Sequence, residues 1–314
     1  MPKLAIISRE YLAYQKALHD LQLAGEFNDI ELIWANDHAD GARLVDIEYA
    51  LANPNIMSQY IDECPNLTWL QSTWAGVNTL VNKSKRDYQL TGLKNVFGAQ
   101  MREYVMAYLL YFQRQIPALI ANQQQRHWQQ YRIPTLQQQT MGIMGLGSIG
   151  KDVARVAKVF GMNVYSLNAS SKPVEADQHF HLAQLYEFAS QVDVIVNLLP
   201  HTIETTGICD ARFFESMRAH AIFINAGRGN VIKNDNDLVN ALNNCNIRGA
   251  VIDVFKAEPL STDHPFWHTP NLLMTNHTAA TSQHELVFKV FKNNLRNKLQ
   301  GLPLDSGINI KQGY

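Results

Sequence analysis

The sequence has few cysteines and no long apolar run, and these absences exclude several classes of protein. Only three of its 314 residues are cysteines (Cys64, Cys209 and Cys245), and they lie far apart without paired spacing. A disulfide framework or a zinc knuckle is therefore not expected, and a reducing compartment fits. No apolar stretch is long enough to span a bilayer, and the first ten residues carry too short an apolar run for a signal peptide. We expect a cytoplasmic protein with no membrane partner and no metal site.

The sequence also lacks an excess of charge of either sign. Lysine and arginine number 27, and aspartate and glutamate number 28, so the chain offers no strong field for nucleic acid or anionic lipid. Apolar residues, in contrast, make up 46% of the composition. A chain of this length and composition can build large cores and favours two domains over one.

Short apolar, β-branched runs alternate with helical patterns from about residue 140 onward. This alternation is typical of repeated βαβ units on a parallel sheet. Two three-strand halves would make a doubly wound, Rossmann-type nucleotide domain. The six runs that predict its strands are 141–146, 163–167, 193–198, 221–225, 249–254 and 272–275.

Another α/β region precedes this one, and we predict that it forms a smaller, flavodoxin-like substrate domain. A helix is predicted at 11–23, and a final helix at 284–299 is expected to return to this region. We predict a substrate domain at 1–98, a dinucleotide-binding domain at 99–284, and a returning C-terminal helix and tail at 285–314. The strands of the smaller domain are predicted at 4–8, 30–34, 67–72 and 95–97.

The stretch MGIMGLGSIG, residues 141–150, places three glycines between a predicted strand and a helical pattern. In that context the spacing G-x-G-x-x-G presents backbone amides and the positive end of a helix to a pyrophosphate. The alternative is a tight strand-to-helix turn without a ligand. The residues expected to bind the dinucleotide are Gly145, Leu146, Gly147, Ser148, Ile149 and Gly150.

The acid that usually binds the ribose hydroxyls of NAD is missing from this sequence. It is expected at the end of the second strand, about 20 residues past the glycines, and Asn168 stands there, 168 − 150 = 18 residues after Gly150. Without that charge a 2′-phosphate is not repelled, and Ser170, Ser171 and Lys172 supply donors and one positive charge. We therefore predict NADP as the preferred cofactor. The alternative is NAD, with its hydroxyls bonded to Asn168 and Lys172 a solvated loop charge.

Three ionisable residues follow the carboxyl ends of the fourth, fifth and sixth predicted strands, namely Arg228, Glu258 and His277. Ligands of doubly wound sheets bind outside those ends, so the three side chains should converge on the cofactor crevice. Histidine suits proton exchange with an alcohol or carbonyl oxygen, and a carboxylate partner would hold its ring. The guanidinium presents paired donors to a carboxylate. Taken singly, each has a structural alternative: a salt bridge, a loop carboxylate before a proline, or a satisfied histidine.

From the glycine turn to the last of these residues, the chain resembles the D-2-hydroxyacid dehydrogenase family. The resemblance is carried by GLGSIG, NLLPHTIET, INAGRGNVI, GAVIDVFKAEPL and NHTAA, and it extends forward to STWAGVNTL and MREYVMAYLL. Within the family it is most similar to the glyoxylate and hydroxypyruvate reductase branch of the A type, through INIKQGY, HTIET, DVFKAEPL and the non-acidic Asn168. Asn78 and Asn276 stand where the family commonly has an aspartate and a proline. Because Asn276 directly precedes His277, the absence of a proline there concerns the rigidity of the His277 loop and not its chemistry.

This resemblance implies that Arg228, Glu258 and His277 form a catalytic set. The reaction implied is an NAD(P)H-dependent reduction of a small 2-oxo acid to the D-2-hydroxy acid. The nicotinamide would supply the hydride and His277 the proton, while Glu258 orients His277 and Arg228 binds the substrate. A homodimer is also implied, with the helix containing MREYVMAYLL at the contact. Alternatives on the same fold are a nucleotide-sensing binding protein and a sibling dehydrogenase for another 2-hydroxy acid.

Further site residues follow from the resemblance alone. Backbone amides at Ala75 and Gly76 would hold the substrate carboxylate, and the alternative there is a plain turn after a strand. Asp253 has the alternative role of a strand-end cap. The residues expected near the nicotinamide and its ribose are Pro200, Thr205, Ala226 and Asp253.

Overall fold

The computed structural model describes residues 1–169 and 175–310. The chain divides into two compact units, Phe97–Thr281 and a unit made of Met1–Val96 with the segment that begins at Ser282. Ser170, Ser171 and Lys172, which we predict to contact the cofactor, lie outside the described residues. The predicted division into a substrate domain and a dinucleotide-binding domain stays a prediction.

The unit that begins at Met1 is built on a five-stranded parallel sheet. Its strand order is β2-β1-β3-β4-β5, which is the flavodoxin-like order. The strands are β1 (Lys3–Ile7), β2 (Glu31–Asn36), β3 (Tyr49–Ala52), β4 (Trp69–Ser72) and β5 (Gln89–Thr91). The helices among them are α1 (Tyr11–Leu23), α2 (Gly41–Leu44), α3 (Pro54–Met57) and α4 (Asn78–Val81).

Three strand assignments in this unit differ from the prediction. The predicted strand at 95–97 is wrong, because Asn95 has a left-handed backbone (φ 60°) and the following residues lead into a helix. Strands β3 and β5 were not predicted from the sequence. Strand β3 reads YALA, with all four residues buried, and alanine carries little strand signal because it is neither β-branched nor aromatic.

The unit Phe97–Thr281 is built on a seven-stranded parallel sheet of order β12-β11-β10-β9-β6-β7-β8. The order reverses between β6 and β9, so the sheet is doubly wound, as predicted. Its strands are β6 (Thr140–Met144), β7 (Asn163–Asn168), β8 (Gln178–His181), β9 (Val194–Asn197), β10 (Ile222–Asn225), β11 (Gly249–Ile252) and β12 (Leu272–Met274). The helices are α5 (Gly98–Gln113), α6 (Ile116–Gln124), α7 (Ser148–Val159), α8 (Leu185–Gln191), α9 (Ala211–Ser216) and α10 (Asp235–Asn243).

Strand β8 was missed in the sequence because it does not read as a buried strand. It is the edge strand, with the sequence QHFH, and only Phe180 of its four residues is buried. An edge strand pairs on one side only and tolerates polar side chains. The prediction of six strands is therefore corrected to seven, and the three ionisable residues follow the fifth, sixth and seventh strands of the sheet.

Apolar packing on both faces explains why the central strands carry almost continuous apolar runs. Every residue of β9, β10 and β11 is buried. On one face Phe213, Phe214 and Phe223 pack edge to face with ring centroids 5.2 to 5.8 Å apart, an arrangement that adds about 0.5–1.5 kcal/mol per pair beyond burial. The sheet is thereby a rigid support for the loops at its carboxyl edge.

Helix α7 follows the glycine turn, where the sequence predicts a helical pattern. Val153, Ala154 and Ala157 are buried on one face. Gly161 ends the helix in a left-handed conformation (φ 73°), and its N–H donates to the carbonyl of Lys158 at 2.9 Å. Glycine adopts this conformation at low cost, which is why it closes helices so often.

The chain returns to the first unit as α11 (His284–Leu299). Phe291 of this helix stacks on Trp69 of β4 with ring centroids 5.6 Å apart. Asn294 is fully buried and donates to the side chain of Gln71 at 2.9 Å. The predicted return of the final helix is thus visible as packing within this unit.

Within residues 1–169 and 175–310, no helix is long and apolar enough to cross a membrane. The same ranges contain no group of three or more His, Cys, Asp or Glu side chains placed to hold a metal ion. The cytoplasmic location stays a prediction.

Candidate active site

The turn that carries Arg228 leaves β10 between two glycines that allow close backbone contacts. A Cβ on Gly229 would lie 2.1 Å from the carbonyl carbon of Phe255, in the segment that follows β11. A Cβ on Gly227 would lie 2.9 Å from the side-chain nitrogen of Asn197. Because no side chain fits at either position, the two glycines let this turn pack against the neighbouring strand ends.

The guanidinium of Arg228 is half-buried, and its Nη1 donates to the carbonyl of Gly227 at 2.7 Å. Burial lowers the pKa of this guanidinium from its ordinary value, while the carboxylate of Glu258 raises it. Arginine nevertheless stays charged at any relevant pH. Among the described residues no carboxylate lies within ion-pair distance of it. The salt bridge considered as an alternative is therefore not seen, and the paired N–H donors of the guanidinium can bind an anionic ligand.

His277 and Glu258 form the contact that the sequence predicted. Nδ1 of His277 lies 2.8 Å from Oε2 of Glu258, and the other carboxylate oxygen accepts from the N–H of Phe255 at 2.9 Å. A carboxylate only accepts, so Nδ1 carries the proton and Nε2 is left for a ligand. The side chain of His277 is 55% exposed. A histidine with an oriented ring and an accessible second nitrogen is suited to proton transfer.

The backbone of the His277 loop is held by the buried carboxylate of Asp253. His277 has a left-handed backbone (φ 56°), and its N–H donates to the carbonyl of Asp253 at 2.9 Å. The Asp253 carboxylate accepts from the N–H groups of Thr278 and Ala279 at 2.8 and 3.0 Å, and from the hydroxyl of Thr275 at 2.5 Å. These bonds hold the backbone of the loop that follows Asn276. They match the strand-end cap considered for Asp253, and its role toward the nicotinamide stays a prediction.

The three glycines of the GLGSIG turn serve three different purposes. Gly145 has a φ of 93°, which favours glycine. A Cβ on Gly150 would lie 2.6 Å from the carbonyl oxygen of Gly145, so this position allows close packing of helix on strand. A Cβ on Gly147 would meet nothing within 4 Å. The open space at Gly147, beside the first turn of α7, fits a pyrophosphate.

Asn168 ends β7 and binds the glycine turn. Its Oδ1 accepts from the N–H of Leu146 at 2.7 Å. Its Nδ2 is buried and has no hydrogen-bond partner among the described residues. A buried amide donor without a partner is costly unless a ligand satisfies it. A hydroxyl or phosphate oxygen of a bound dinucleotide would do so, and the residues present therefore fit this cofactor.

The remaining predicted residues lie in loops that follow strands. Thr205 is buried, and its hydroxyl donates to the carbonyl of Pro200 at 2.6 Å; Ala226 is buried directly after β10. In the first unit, the N–H groups of Ala75 and Gly76 follow β4 and have no hydrogen-bond partner among the described residues. Their predicted contacts with cofactor and substrate stay predictions.

Two features of this site were not predicted from the sequence. Asn197 and Asn225 end β9 and β10 fully buried and form a side-chain pair at 2.8 Å. The sequence signal that could have indicated this pair is an asparagine at the end of each of two apolar strands, VIVN and IFIN. Asp235 binds both ends of the loop that carries Glu258, through Lys256 at 3.0 Å and His264 at 3.2 Å. Nothing local in the sequence indicated that contact.

The glycine turn yields a matched pair of variants. Gly147→Val is expected to leave thermal stability near that of the wild type, because the new side chain enters open space. The same substitution should weaken NADPH binding at least about tenfold, or 1.4 kcal/mol, because that space is where we predict the pyrophosphate. Gly150→Val is expected to lower the melting temperature by several degrees, because its Cβ collides with backbone. Calorimetry and a fluorescence titration with NADPH measure both. Unchanged NADPH affinity in Gly147→Val would place the pyrophosphate elsewhere.

Comparison with known proteins adds a family match to this geometry. Residues 106–279 match the model of the D-isomer specific 2-hydroxyacid dehydrogenase NAD-binding domain. The chain is similar to the glyoxylate/hydroxypyruvate reductase A of Serratia proteamaculans, with 37% identity over 58% of each chain. It is also similar to the glyoxylate/hydroxypyruvate reductase A of Yersinia enterocolitica, with 30% identity over 76% of this chain and 79% of the relative.

Solved structures cover nearly the whole chain. A D-isomer specific 2-hydroxyacid dehydrogenase family protein from Aeromonas salmonicida has a TM-score of 0.89 and 35% identity, and the match covers 98% of this chain and 99% of the other. A probable 2-hydroxyacid dehydrogenase from Rhizobium etli, in complex with NADP, has a TM-score of 0.86 and 30% identity over 100% and 99%. An NADPH-dependent glyoxylate/hydroxypyruvate reductase from Sinorhizobium meliloti, in complex with NADP and sulfate, has a TM-score of 0.85 and 29% identity over 100% of both chains.

Proposed function

Because the chain belongs to the D-isomer specific 2-hydroxyacid dehydrogenase family, we propose that it reduces a small 2-oxo acid, of the glyoxylate or hydroxypyruvate type, with NADPH. The product is the 2-hydroxy acid, in the D form where C2 is chiral. The observation that carries this proposal is the 2.8 Å contact between His277 and Glu258, beside a half-buried arginine that forms no ion pair with the described residues.

Each residue of the set has one task in this reaction. NADPH, when bound, supplies the hydride that the carbonyl carbon accepts. Arg228 binds the substrate carboxylate with its paired donors. His277 gives the proton on Nε2 to the carbonyl oxygen as that oxygen gains negative charge. Glu258 keeps the ring oriented through Nδ1. One hydride and one proton convert the carbonyl to the alcohol.

The NADPH preference is supported by the end of β7. Asn168 stands where an acid would repel a 2′-phosphate, and its Nδ2 is a buried donor without a partner among the described residues. The related structures from Rhizobium etli and Sinorhizobium meliloti contain NADP. NAD remains the second candidate. A homodimer with α5 at the contact, on family resemblance, and a cytoplasmic location, on the cysteine usage, complete the proposal.

A panel of 2-oxo acids, assayed with each reduced cofactor, tests this function. We expect loss of nicotinamide absorbance with glyoxylate and hydroxypyruvate, and a kcat/KM for NADPH at least about tenfold above that for NADH. Asn168→Asp should narrow or reverse this ratio, because a carboxylate there repels the 2′-phosphate.

Three results would count against the proposal. A flat trace across the panel, together with tight cofactor binding, would favour a nucleotide-sensing protein instead. Turnover confined to larger 2-oxo acids would indicate a sibling dehydrogenase. Equal or better use of NADH by the wild type would overturn the assignment of Asn168.

A further inference from the structure

Two buried asparagines stand side by side at the carboxyl edge of the large sheet. Asn197 ends β9 and Asn225 ends β10, and the two residues are partners in the register of these neighbouring strands. Both are 0% exposed. Nδ2 of Asn197 donates to Oδ1 of Asn225 at 2.8 Å. An amide pair in a position that apolar residues could fill costs free energy unless its groups are hydrogen-bonded.

The other hydrogen bonds of the pair go to the backbone that leaves these two strands. Oδ1 of Asn197 accepts from the N–H of Leu199 at 3.2 Å. Oδ1 of Asn225 accepts from the N–H of Gly227 at 3.3 Å, and its Nδ2 donates to the carbonyl of Arg228 at 3.1 Å. Asn225 therefore holds the peptide groups on both sides of the Arg228 turn.

The peptide group between these two accepts a hydrogen bond from the guanidinium. Nη1 of Arg228 donates to the carbonyl of Gly227 at 2.7 Å. The N–H of that same glycine is bound to Asn225, and a Cβ there would collide with Asn197 at 2.9 Å. Asn197 thus supports Asn225, Asn225 holds the turn, and the turn sets the direction of the guanidinium.

We propose that Asn197 and Asn225 are positioning residues for Arg228, and that they determine how well the site binds the carboxylate of the substrate. This inference rests on the proposed function of Arg228. It separates these two residues from ordinary buried asparagines, whose loss lowers stability without changing substrate binding.

The test compares Asn225→Ala with Asn294→Ala. Asn294 is equally buried and also hydrogen-bonded, but it binds Gln71 and Asp305 in the other unit. We expect Asn225→Ala to raise KM for the 2-oxo acid about tenfold or more, with KM for NADPH changed less than about twofold. Asn294→Ala should lower stability and leave both KM values near those of the wild type. Asn197→Ala, which acts through Asn225, should show a smaller rise, and it serves if Asn225→Ala does not fold.

A double-mutant cycle with Arg228→Lys separates positioning from a general structural effect. We expect Asn225→Ala to have little further effect in the Arg228→Lys background, because the guanidinium that Asn225 positions is already absent there. The proposal would be overturned if the effects of Asn225→Ala and Arg228→Lys on KM for the 2-oxo acid simply multiply in the double variant. It would also be overturned if Asn225→Ala raises that KM no more than Asn294→Ala does.

Equilibrium binding of oxalate, a small dicarboxylate, repeats the comparison without turnover. An inactive wild type would overturn the proposed function, while weaker oxalate binding in Asn225→Ala than in Asn294→Ala would still support positioning. If the wild type binds no oxalate in the presence of NADPH, Arg228 is not an anion site and the inference fails with it.

Discussion

His277→Ala is expected to lower kcat by about 10²- to 10⁴-fold, the range that a positioned general acid contributes. Affinity for NADPH should change little. In the sheet order, β9, β10 and β11 separate β6, which precedes the glycine turn, from β12, which precedes His277. At about 4.8 Å per strand, four spacings place the two loops about 19 Å apart. The predicted pyrophosphate site is therefore out of reach of the substituted side chain.

Stopped-flow absorbance for turnover and a fluorescence titration for NADPH measure the two effects separately. His19→Ala is the matched control, because this histidine is exposed on α1, in the other unit. Its kcat should equal that of the wild type. If His277→Ala retains a kcat within about threefold of the wild type, the proton comes from another group and the assignment is refuted.

Arg228→Ala is expected to lower kcat/KM for the 2-oxo acid by about 10²- to 10³-fold, or about 3–4 kcal/mol, because truncating one partner of a buried charge pair costs about 2–5 kcal/mol. Arg228→Lys should recover only part of this loss. Lysine restores the charge but lacks the planar fork that binds both oxygens of a carboxylate.

Steady-state kinetics over a range of 2-oxo acid concentrations measure this effect. Arg212→Ala is the control, because this exposed arginine lies in the same unit and its side chain stacks on the ring of Tyr186, at 4.2 Å. A KM for the 2-oxo acid that is the same in Arg228→Ala as in the wild type would show that the carboxylate is bound elsewhere. Full recovery in Arg228→Lys would show that charge alone matters.

Much of the large unit could be predicted from local patterns. The glycine turn, the helical pattern that follows it and the three ionisable residues after strand ends all depend on short-range rules of backbone geometry. Strands β3 and β8 escaped prediction because their place in a sheet, central or at the edge, decides which side chains they tolerate. The distinct roles of the three glycines were likewise visible only once the neighbours of each absent Cβ were known.

By itself the sequence determined the fold class, the glycine turn and the three ionisable residues at strand ends, because each rests on neighbours within one strand, turn or helix. Only the tertiary structure decided how they are held. Asp235 lies 29 residues from His264 along the chain, and Asn197 lies 28 from Asn225. Such pairs form only when neighbouring strands of the parallel sheet bring the residues at their carboxyl ends together, and short-range patterns along the chain do not specify those contacts.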